Sequence, residues 1–257
     1  MDKSHKSSEL SELHLAAAVQ QALLTGDMPE CECGKMVLKN RMSGLVGGDF
    51  YHFRQLGQGQ VAFAIGDVVG HGLPAALVMT LILGHLRADH QNSRRPGRLV
   101  SHINDQLVGL GELIDLPVTC SLIYGVVDLP SGVLMYINAG HPHPIIYHRG
   151  DENARNLPST TMLLGVQGGV LNESCHQFQQ QDRLVLFTDG IIEARNPGME
   201  LFGRDRLLEI VCQTRMGSPE SLAERVFREM GEFVCSTPPQ DDQTLVVIDF
   251  DKVSGAI

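Results

Sequence analysis

Apolar residues near the start of the chain recur at the spacing of an amphipathic helix. Between Ser8 and Leu24 they return at three- and four-residue steps, and Gln20 fills the remaining position of the stripe. Glycine and proline in TGDMP end the predicted helix. Such a stripe either packs on its own domain or forms a dimer seam or signalling linker, and the pattern leaves both open. Its apolar members are Leu10, Leu13, Ala17 and Leu24.

From Val37 onwards the pattern changes to short apolar runs separated by turn residues, which is typical of strands. The first runs indicate strands joined by hairpins, with Gly57-Gln58-Gly59 as one tight connection. Pro130 and Gly132 mark the turn of a later hairpin. The predicted strands are KMVLKNRM, GGDFYHFRQL, VAFAIGD, VTCSLIYGVVD, VLMYINAG, PIIYH, RLVLFTDG and TLVVIDF.

Helices are predicted in pairs between these strands. Pro74 suits the first position of a helix reaching about Asp89, because its fixed φ fits that site and its missing N–H is not needed there. A second helix follows from Leu99 to Leu110, and Ser218-Pro219 opens a late one after a short helix around Leu207. Helices inserted in pairs between hairpins predict an α/β sandwich of antiparallel sheets (α+β), not a doubly wound parallel sheet.

Composition limits the size and the partners of this fold. With 257 residues, of which 43% are hydrophobic, the chain can bury one substantial core, and no Pro/Ser/Gly-rich linker divides it. The formal charge is -10, from 30 acidic and 20 basic side chains. That field disfavours nucleic-acid backbones and anionic membranes, so we expect neither as a partner.

The cysteines and the apolar runs indicate a cytoplasmic protein with reduced thiols. The six cysteines are scattered, and the opening MDKSHKSSEL has no apolar run after it. Apolar stretches such as Leu77 to Leu83 are far shorter than the ~20 residues that cross a bilayer. Cys31 and Cys33 form a lone C-x-C without a second pair, which argues against a metal site there.

Aspartates stand at the ends of several predicted strands. Asp67 and Asp189 follow apolar runs, whereas Asp241 and Asp242 precede the last one. If the last strand runs antiparallel to the other two, these acids meet at one edge, and a hairpin brings in Asp49 as well. A single Asp-Gly is usually only a turn residue. Four such motifs that converge are better explained by a site, because unpaired carboxylates brought together need protons, cations or ion pairs.

Carboxylate oxygens without nearby thiolates or paired histidines favour Mg²⁺ or Mn²⁺ over Zn²⁺. Two such ions, about 3.5–4 Å apart, can bind phosphate oxygens, activate a bridging water and stabilise an in-line displacement. We expect Asp67 to be the shared ligand, because the glycines of the GHG segment after it leave the backbone free to approach the ions. The carbonyl of Val68 is a further candidate ligand.

Two other motifs are better explained by structure than by chemistry. His141 and His143 fall short of a zinc site, since two ligands around a proline cannot close a tetrahedron, and we expect them to shape a loop near the pocket. Gly165, Gly168 and Gly169 lack the strand-to-helix setting of a phosphate loop and are typical of turns.

Several long motifs, in order, resemble the signature blocks of the bacterial SpoIIE-like phosphatases, which belong to the metal-dependent type 2C (PPM) serine/threonine phosphatase superfamily. The resemblance extends from the helix near Leu10 to about Phe250. It implies a four-layer α-β-β-α sandwich, with residues 1–25 as a linker or regulatory helix and residues 26–257 as the phosphatase domain. The motifs are SGLVGGDFY, IGDVVGHGLPAAL, INAGHPHP, LVLFTDGIIEARN followed by LFG, and DDQTLVVI.

The resemblance also implies a ligand set for two Mn²⁺ or Mg²⁺ ions. Asp67 would bridge both ions, Asp189 and Asp241 would hold one, and Asp49 with the Val68 carbonyl would hold the other. Residues expected beside the ligands, without touching the ions, are Asp242, Gly190 and His71.

Two positions depart from the family pattern. His52 stands where the first block often has a second acid, which puts an outer contact in doubt but leaves Asp49 in place. Eukaryotic relatives have a histidine two residues after the bridging aspartate, where this chain has Val69. His71, further along, is a candidate general acid, because a near-neutral pKa suits a serine leaving group. A metal-bound water is the alternative.

The sequence thus predicts a phosphatase acting on phosphoserine or phosphothreonine. The resemblance implies a phosphorylated STAS-type anti-sigma factor antagonist as substrate, and an upstream sensor or receiver domain or a homodimer through the N-terminal helix as regulators. A catalytically silent adaptor that binds a signalling partner is the alternative from another class, disfavoured by the retained acids. A two-metal phosphodiesterase is a third, and the net charge disfavours a polymeric nucleic acid as its substrate.

Overall fold

Two antiparallel five-stranded sheets pack face to face between layers of helices in the computed structural model, which describes residues 2–25, 34–57, 59–149, 154–235, 237–251 and 253. The first sheet has the order β2-β3-β4-β5-β8 and the second the order β1-β10-β9-β6-β7. The strands are β1 (Met36–Arg41), β2 (Phe50–Gly57), β3 (Gln60–Val68), β4 (Cys120–Asp128), β5 (Val133–Ala139), β6 (Ile145–His148), β7 (Ala154–Asn156), β8 (Ser174–Gln177), β9 (Asp182–Phe187) and β10 (Gln243–Phe250).

Helices cover the outer face of each sheet. α2 and α3 pack on the first sheet, and α4, α5 and α6 pack on the second. The predicted α-β-β-α sandwich is therefore confirmed. The helices are α1 (Asp2–Leu24), α2 (Gly72–Ala88), α3 (Pro96–Ile114), α4 (Asp189–Ile192), α5 (Gly203–Gln213) and α6 (Pro219–Val234).

Burial on both faces explains why the central strands are continuously apolar. Every residue of β10 is buried, because one face meets the first sheet and the other meets α6. One core, which includes Phe63 and Leu122, lies between the sheets and under α2 and α3. A second core, which includes Phe187 and Val226, lies between the second sheet and its helices. The acids of the predicted site lie where these layers meet.

The connection between β1 and β2 differs from the prediction. The pattern indicated a hairpin, but β1 pairs with β10, from Met36↔Ile248 to Arg41↔Gln243, and β2 pairs with β3. Residues 42–49 instead carry the chain from the second sheet to the first, so we name them the crossing loop. Alternation of apolar residues fixes which face of a strand is buried, but it does not choose the neighbouring strand.

Helix positions follow the prediction with shifted ends. α2 begins at Gly72, two residues before Pro74, so the proline lies inside the first turn, where no intrahelical N–H bond is lost. α3 spans Pro96–Ile114 and is longer at both ends than expected. Ser218 caps α6, accepting a hydrogen bond from the Ser221 N–H at 3.3 Å. β6 pairs with β9, and the short strands β7 and β8 between them had not been predicted.

α1 packs on α2 and β2 through its C-terminal half. Leu24 and Gln20 are buried, whereas Leu13 and Ala17 are half-buried. Leu10 is 54% exposed, so this member of the stripe does not pack on the domain. No helix among the described residues is both long and apolar enough to span a membrane.

Candidate metal centre

Three aspartates from separate elements converge between the two sheets. Asp67 lies near the end of β3, opposite Ser121, Asp189 begins α4 directly after β9, and Asp241 precedes β10. One carboxylate oxygen from each acid lies within 4.8 Å of the others. β9 and β10 are antiparallel, as the argument from strand direction required, but β3 belongs to the other sheet. The acids therefore meet across the sandwich.

The electrostatics of this cluster favour a bound cation or protons. Burial, followed by the charges of Asp49, Asp189 and other neighbouring acids, raises the pKa of Asp67 to about 9. Burial also raises the pKa values of Asp189 and Asp241. Carboxylates with raised pKa values take up protons when no cation is present. Positive charge brought to the cluster would therefore favour the ionised form of these acids.

Unpaired oxygen atoms at the cluster fit hard divalent ions. Asp189 Oδ1 is buried and has no hydrogen-bond partner among the described residues. A β-carbon on Gly48 would lie 2.8 Å from the Val68 carbonyl oxygen and 2.9 Å from Asp67 Oδ1, so both oxygens face the same small space. Carboxylate and carbonyl oxygens, without thiolate or imidazole, suit Mg²⁺ or Mn²⁺. Among the described residues, no other group of three such side chains meets.

Asp49 lies beside the cluster in a buried and strongly hydrogen-bonded position. Its Oδ2 accepts hydrogen bonds from Thr188 Oγ1 at 2.8 Å and from Thr244 Oγ1 at 2.5 Å. Burial raises the pKa of Asp49 to about 8, although the two hydroxyl donors oppose this shift. Its charge also raises the pKa of Asp67. Sequence reasoning found Asp49 but missed the threonines, because a threonine next to a strand end is too common to be a signal.

Asp242 holds the crossing loop in place. Its Oδ1 accepts hydrogen bonds from the Ser43 N–H at 2.8 Å and the Ser43 hydroxyl at 3.0 Å, and its Oδ2 accepts one from the Gly48 N–H at 3.0 Å. Gly190 packs against the backbone of the same residue, and a β-carbon there would overlap the Asp242 carbonyl oxygen. Both residues lie beside the predicted ligands.

Gln20 of α1 contacts the same loop from the opposite side. Its Nε2 donates to the Gly47 carbonyl at 2.7 Å, and its Oε1 accepts from the Gly47 N–H at 3.1 Å. The sequence offered one signal for this contact, since Gln20 interrupts an apolar stripe. α1 is thereby joined to the segment that leads directly into Gly48 and Asp49.

The histidines lie in different environments. His71 is exposed and stands just before α2, and its charge acts on Asp241, so it lies at the rim of the cluster. His141 is buried, with Nδ1 2.9 Å from Ser121 Oγ, and burial lowers its pKa to about 3. His143 is exposed and accepts from the Ser159 N–H. His52 is half-buried, and burial and the charges of Arg54 and Arg87 lower its pKa to about 4.

Two cavities flank the cluster. The first, which we call the apolar groove, has a volume of about 800 Å³ between α1, the crossing loop and the start of α2. The second, which we call the polar crevice, has about 190 Å³ and reaches Gly190 and Asp241. Pro239 and Gln240 border both cavities. The acid cluster therefore has an apolar neighbour on one side and a polar one on the other.

An α-β-β-α sandwich with carboxylates converging between its sheets defines the type 2C class of phosphatase folds. Residues 57–251 match the family model described as Stage II sporulation protein E (SpoIIE). The match covers well over half of the chain, and the protein belongs to this family.

Individual proteins agree with that assignment. The chain is 26% identical to the protein IcfG of Synechocystis sp. over 262 residues, which is 92% of this chain and 41% of IcfG. It is 25% identical to the phosphoserine phosphatase RsbU of Bacillus subtilis over 239 residues, which is 93% of this chain and 70% of RsbU. The chain thus spans less than half of one relative and about two thirds of the other.

Among solved structures, the SiaA-PP2C domain of Pseudomonas aeruginosa superimposes with a TM-score of 0.83, covering 98% of this chain and 100% of that domain. The two sequences are 20% identical, so this likeness concerns the fold.

Proposed function

We propose that this protein is a metal-dependent phosphatase that removes phosphate from phosphoserine or phosphothreonine in a signalling protein. The convergence of Asp67, Asp189 and Asp241, with their oxygens within 4.8 Å, is the observation that carries the proposal. Membership of the SpoIIE family and similarity to a phosphoserine phosphatase support it.

We propose a role for each residue of the centre. Asp67, Asp189 and Asp241 would bind the two Mn²⁺ or Mg²⁺ ions together with Asp49 and the Val68 carbonyl. When bound, such ions activate water for attack on phosphorus and neutralise the phosphate oxygens. Asp67 has the strongest case for the shared ligand, because its oxygen shares the space under Gly48 with the Val68 carbonyl.

The surrounding side chains keep the ligands oriented. Thr188 and Thr244 fix the Asp49 carboxylate, and Asp242 fixes the crossing loop through Ser43 and Gly48. Hydrogen bonds of this kind around ligands typically change metal affinity 10- to 100-fold when removed, roughly. His71 stays a candidate for giving a proton to the serine oxygen, since it is exposed at the rim of the cluster.

The proposed substrate and regulators are those that the family resemblance implies. We propose a phosphorylated STAS-type anti-sigma factor antagonist as substrate, in the cytoplasm. α1 reaches the crossing loop through Gln20, which supports a regulatory role for residues 1–25, with an upstream sensor or receiver domain or a second copy of the chain acting on that helix.

One experiment tests the enzyme class. Mn²⁺-dependent phosphate release would be measured with p-nitrophenyl phosphate and with a phosphorylated STAS protein, for the wild type, Asp67→Asn and the matched control Asp105→Asn on the exposed face of α3. We expect chelation to abolish release and Asp67→Asn to reduce it at least ~10²-fold, because the shared ligand is lost. Asp105→Asn should match the wild type. Release that survives chelation would falsify the metal-dependent mechanism, and no release by the wild type would favour the adaptor.

A further inference from the structure

The polar crevice beside the acid cluster carries two basic side chains that the phosphatase chemistry does not use. Arg41 and Arg195 both line it, one from the end of β1 and one from the segment after α4. Arg41 is exposed and makes no hydrogen bond or ion pair within the described part of the chain. Arg195 makes a single bond, from Nη1 to the Met199 carbonyl at 3.3 Å. Most of their N–H donors therefore face the crevice or solvent.

A buried amide forms the floor of the same crevice. Gln243 lies opposite Arg41 in the β1–β10 register and is only 4% exposed. Its Oε1 is buried and has no hydrogen-bond partner among the described residues. Leaving such an acceptor unpaired costs free energy. Gln243 lines the crevice, so a donor bound there would offset that cost.

The charges of the crevice favour an anion once the cluster holds cations. Glu193 lines the crevice and is exposed, so it only partly offsets Arg41 and Arg195. Asp241 also borders it, but a ligand carboxylate is neutralised by its ion. Two guanidinium groups can hold a carboxylate by paired N–H donors, while an acceptor such as Gln243 Oε1 calls for an N–H. A peptide with an Asp or Glu carries both a carboxylate and backbone N–H donors, whereas inorganic phosphate has no N–H.

We propose that the polar crevice binds the substrate chain next to its phosphoserine, with Arg41 and Arg195 taking the carboxylate of an Asp or Glu and Gln243 taking a backbone N–H. This inference rests on the proposed function and adds a specificity determinant to it. Because Asp241 of the cluster also lines the crevice, an acidic residue within a few positions of the phosphoserine can reach the arginines.

The test compares three phosphoserine peptides that differ only in flanking residues, which are Glu, Ala or Lys. We expect the wild type to hydrolyse the Glu peptide with the highest kcat/KM. The double variant Arg41→Glu/Arg195→Glu should lower the Glu-to-Ala ratio of kcat/KM about tenfold, since two charge-assisted contacts become repulsive. It should also favour the Lys peptide. Arg95→Glu/Arg98→Glu, an equal charge change at exposed positions at the start of α3, is the matched control and should leave all ratios unchanged.

The outcomes separate this inference from the enzyme class. Equal turnover of the three peptides by the wild type, or an unaltered ratio in the double variant, would overturn the crevice as a specificity site while p-nitrophenyl phosphate hydrolysis still supports a phosphatase. If no peptide is hydrolysed, binding of the labelled peptides is measured by fluorescence anisotropy. Weaker binding of the Glu peptide by the double variant than by the wild type supports the crevice as a peptide site. Equal binding by the two proteins refutes it. A Gln243→Leu variant should weaken all three peptides alike.

Discussion

Gln20 and Gly47 are joined by both ends of one side-chain amide, with Nε2 2.7 Å from the Gly47 carbonyl oxygen and Oε1 3.1 Å from the Gly47 nitrogen. The pair links α1 to the crossing loop, which continues into Gly48 and Asp49. A movement of α1 that broke this pair would release the backbone beside the predicted ligands.

Replacing Gln20 with Ala should weaken both metal binding and the fold. The loss of two buried hydrogen bonds would lower the free energy of unfolding by about 1–3 kcal/mol. The Mn²⁺ concentration for half-maximal activity should rise several-fold, because the loop is no longer held. Titration of phosphatase activity with Mn²⁺ measures this effect. Gln21→Ala, on the exposed side of the same helix, should behave like the wild type, and an unchanged Mn²⁺ requirement in Gln20→Ala would refute the link.

A β-carbon at Gly48 should damage the site while leaving the fold intact. It would lie within 3 Å of both the Val68 carbonyl oxygen and Asp67 Oδ1, as the distances of 2.8 Å and 2.9 Å show. We expect Gly48→Ala to lose most Mn²⁺-dependent activity. Gly84→Ala is the control, since that glycine lies in α2 with open space around it and should stabilise the protein by about 0.5–1 kcal/mol. Comparable activity of the two variants would argue against ligands at this position.

Thr244→Val should lower the affinity for Mn²⁺ by removing one of the two donors to Asp49. The hydroxyl also accepts from Asn40 Nδ2 at 2.8 Å, so the variant leaves two polar groups without this partner. We expect a loss of about 1–3 kcal/mol in the free energy of unfolding and a weaker Mn²⁺ interaction by calorimetry. Thr80→Val, whose hydroxyl only bonds within α2, provides the comparison. Equal Mn²⁺ affinity in both variants would contradict a role for Thr244.

The metal-free protein should lose stability as pH rises. Burial raises the pKa of Asp49 to about 8 and that of Asp67 to about 9, whereas both acids titrate near pH 4 in the unfolded chain, roughly. Between these limits the folded state holds more protons than the unfolded state, so its stability decreases with increasing pH. Mn²⁺ replaces those protons.

Thermal unfolding with Mn²⁺ and with chelator, at about pH 6 and about pH 8.5, measures this coupling. The increase in Tm on adding Mn²⁺ should be larger at the higher pH, because fewer protons compete for the carboxylates. An increase that is the same at both values, or larger at the lower pH, would show that Asp49 and Asp67 are already ionised without a cation.

Arg183 should contribute to stability and not to the chemistry. It is fully buried and bonds Asp249 through Nε at 2.6 Å and Nη2 at 2.9 Å, and Nη2 also donates to the Gly217 carbonyl at 2.7 Å. Arg183→Leu leaves the buried carboxylate with Arg149, so we expect a loss of about 3 kcal/mol in urea unfolding. Under folding conditions, the Mn²⁺ concentration for half-maximal activity should not change. A shift in that concentration would connect this ion pair to the site.

The acids could be predicted from sequence because each lies at a strand end, where direction along the chain fixes its position. Partners such as Thr188 and Gln20 could not, since their contacts depend on how the sheets and α1 dock. The β1–β2 hairpin was wrong for a related reason, because pairing of β1 with β10 joins distant parts of the chain. The same pairing makes Arg41 and Gln243 neighbours, so no sequence motif could have predicted the crevice.

Asp67 comes from the first sheet, whereas Asp189 and Asp241 come from the ends of strands in the second. An ion bound by these three acids would therefore cross-link two sheets that are otherwise joined by apolar packing. A folding intermediate with only one sheet formed would have only part of the ligand set, and we expect it not to bind the cation. Acquisition of metal would then mark the last stage of maturation, when both layers have closed on one another.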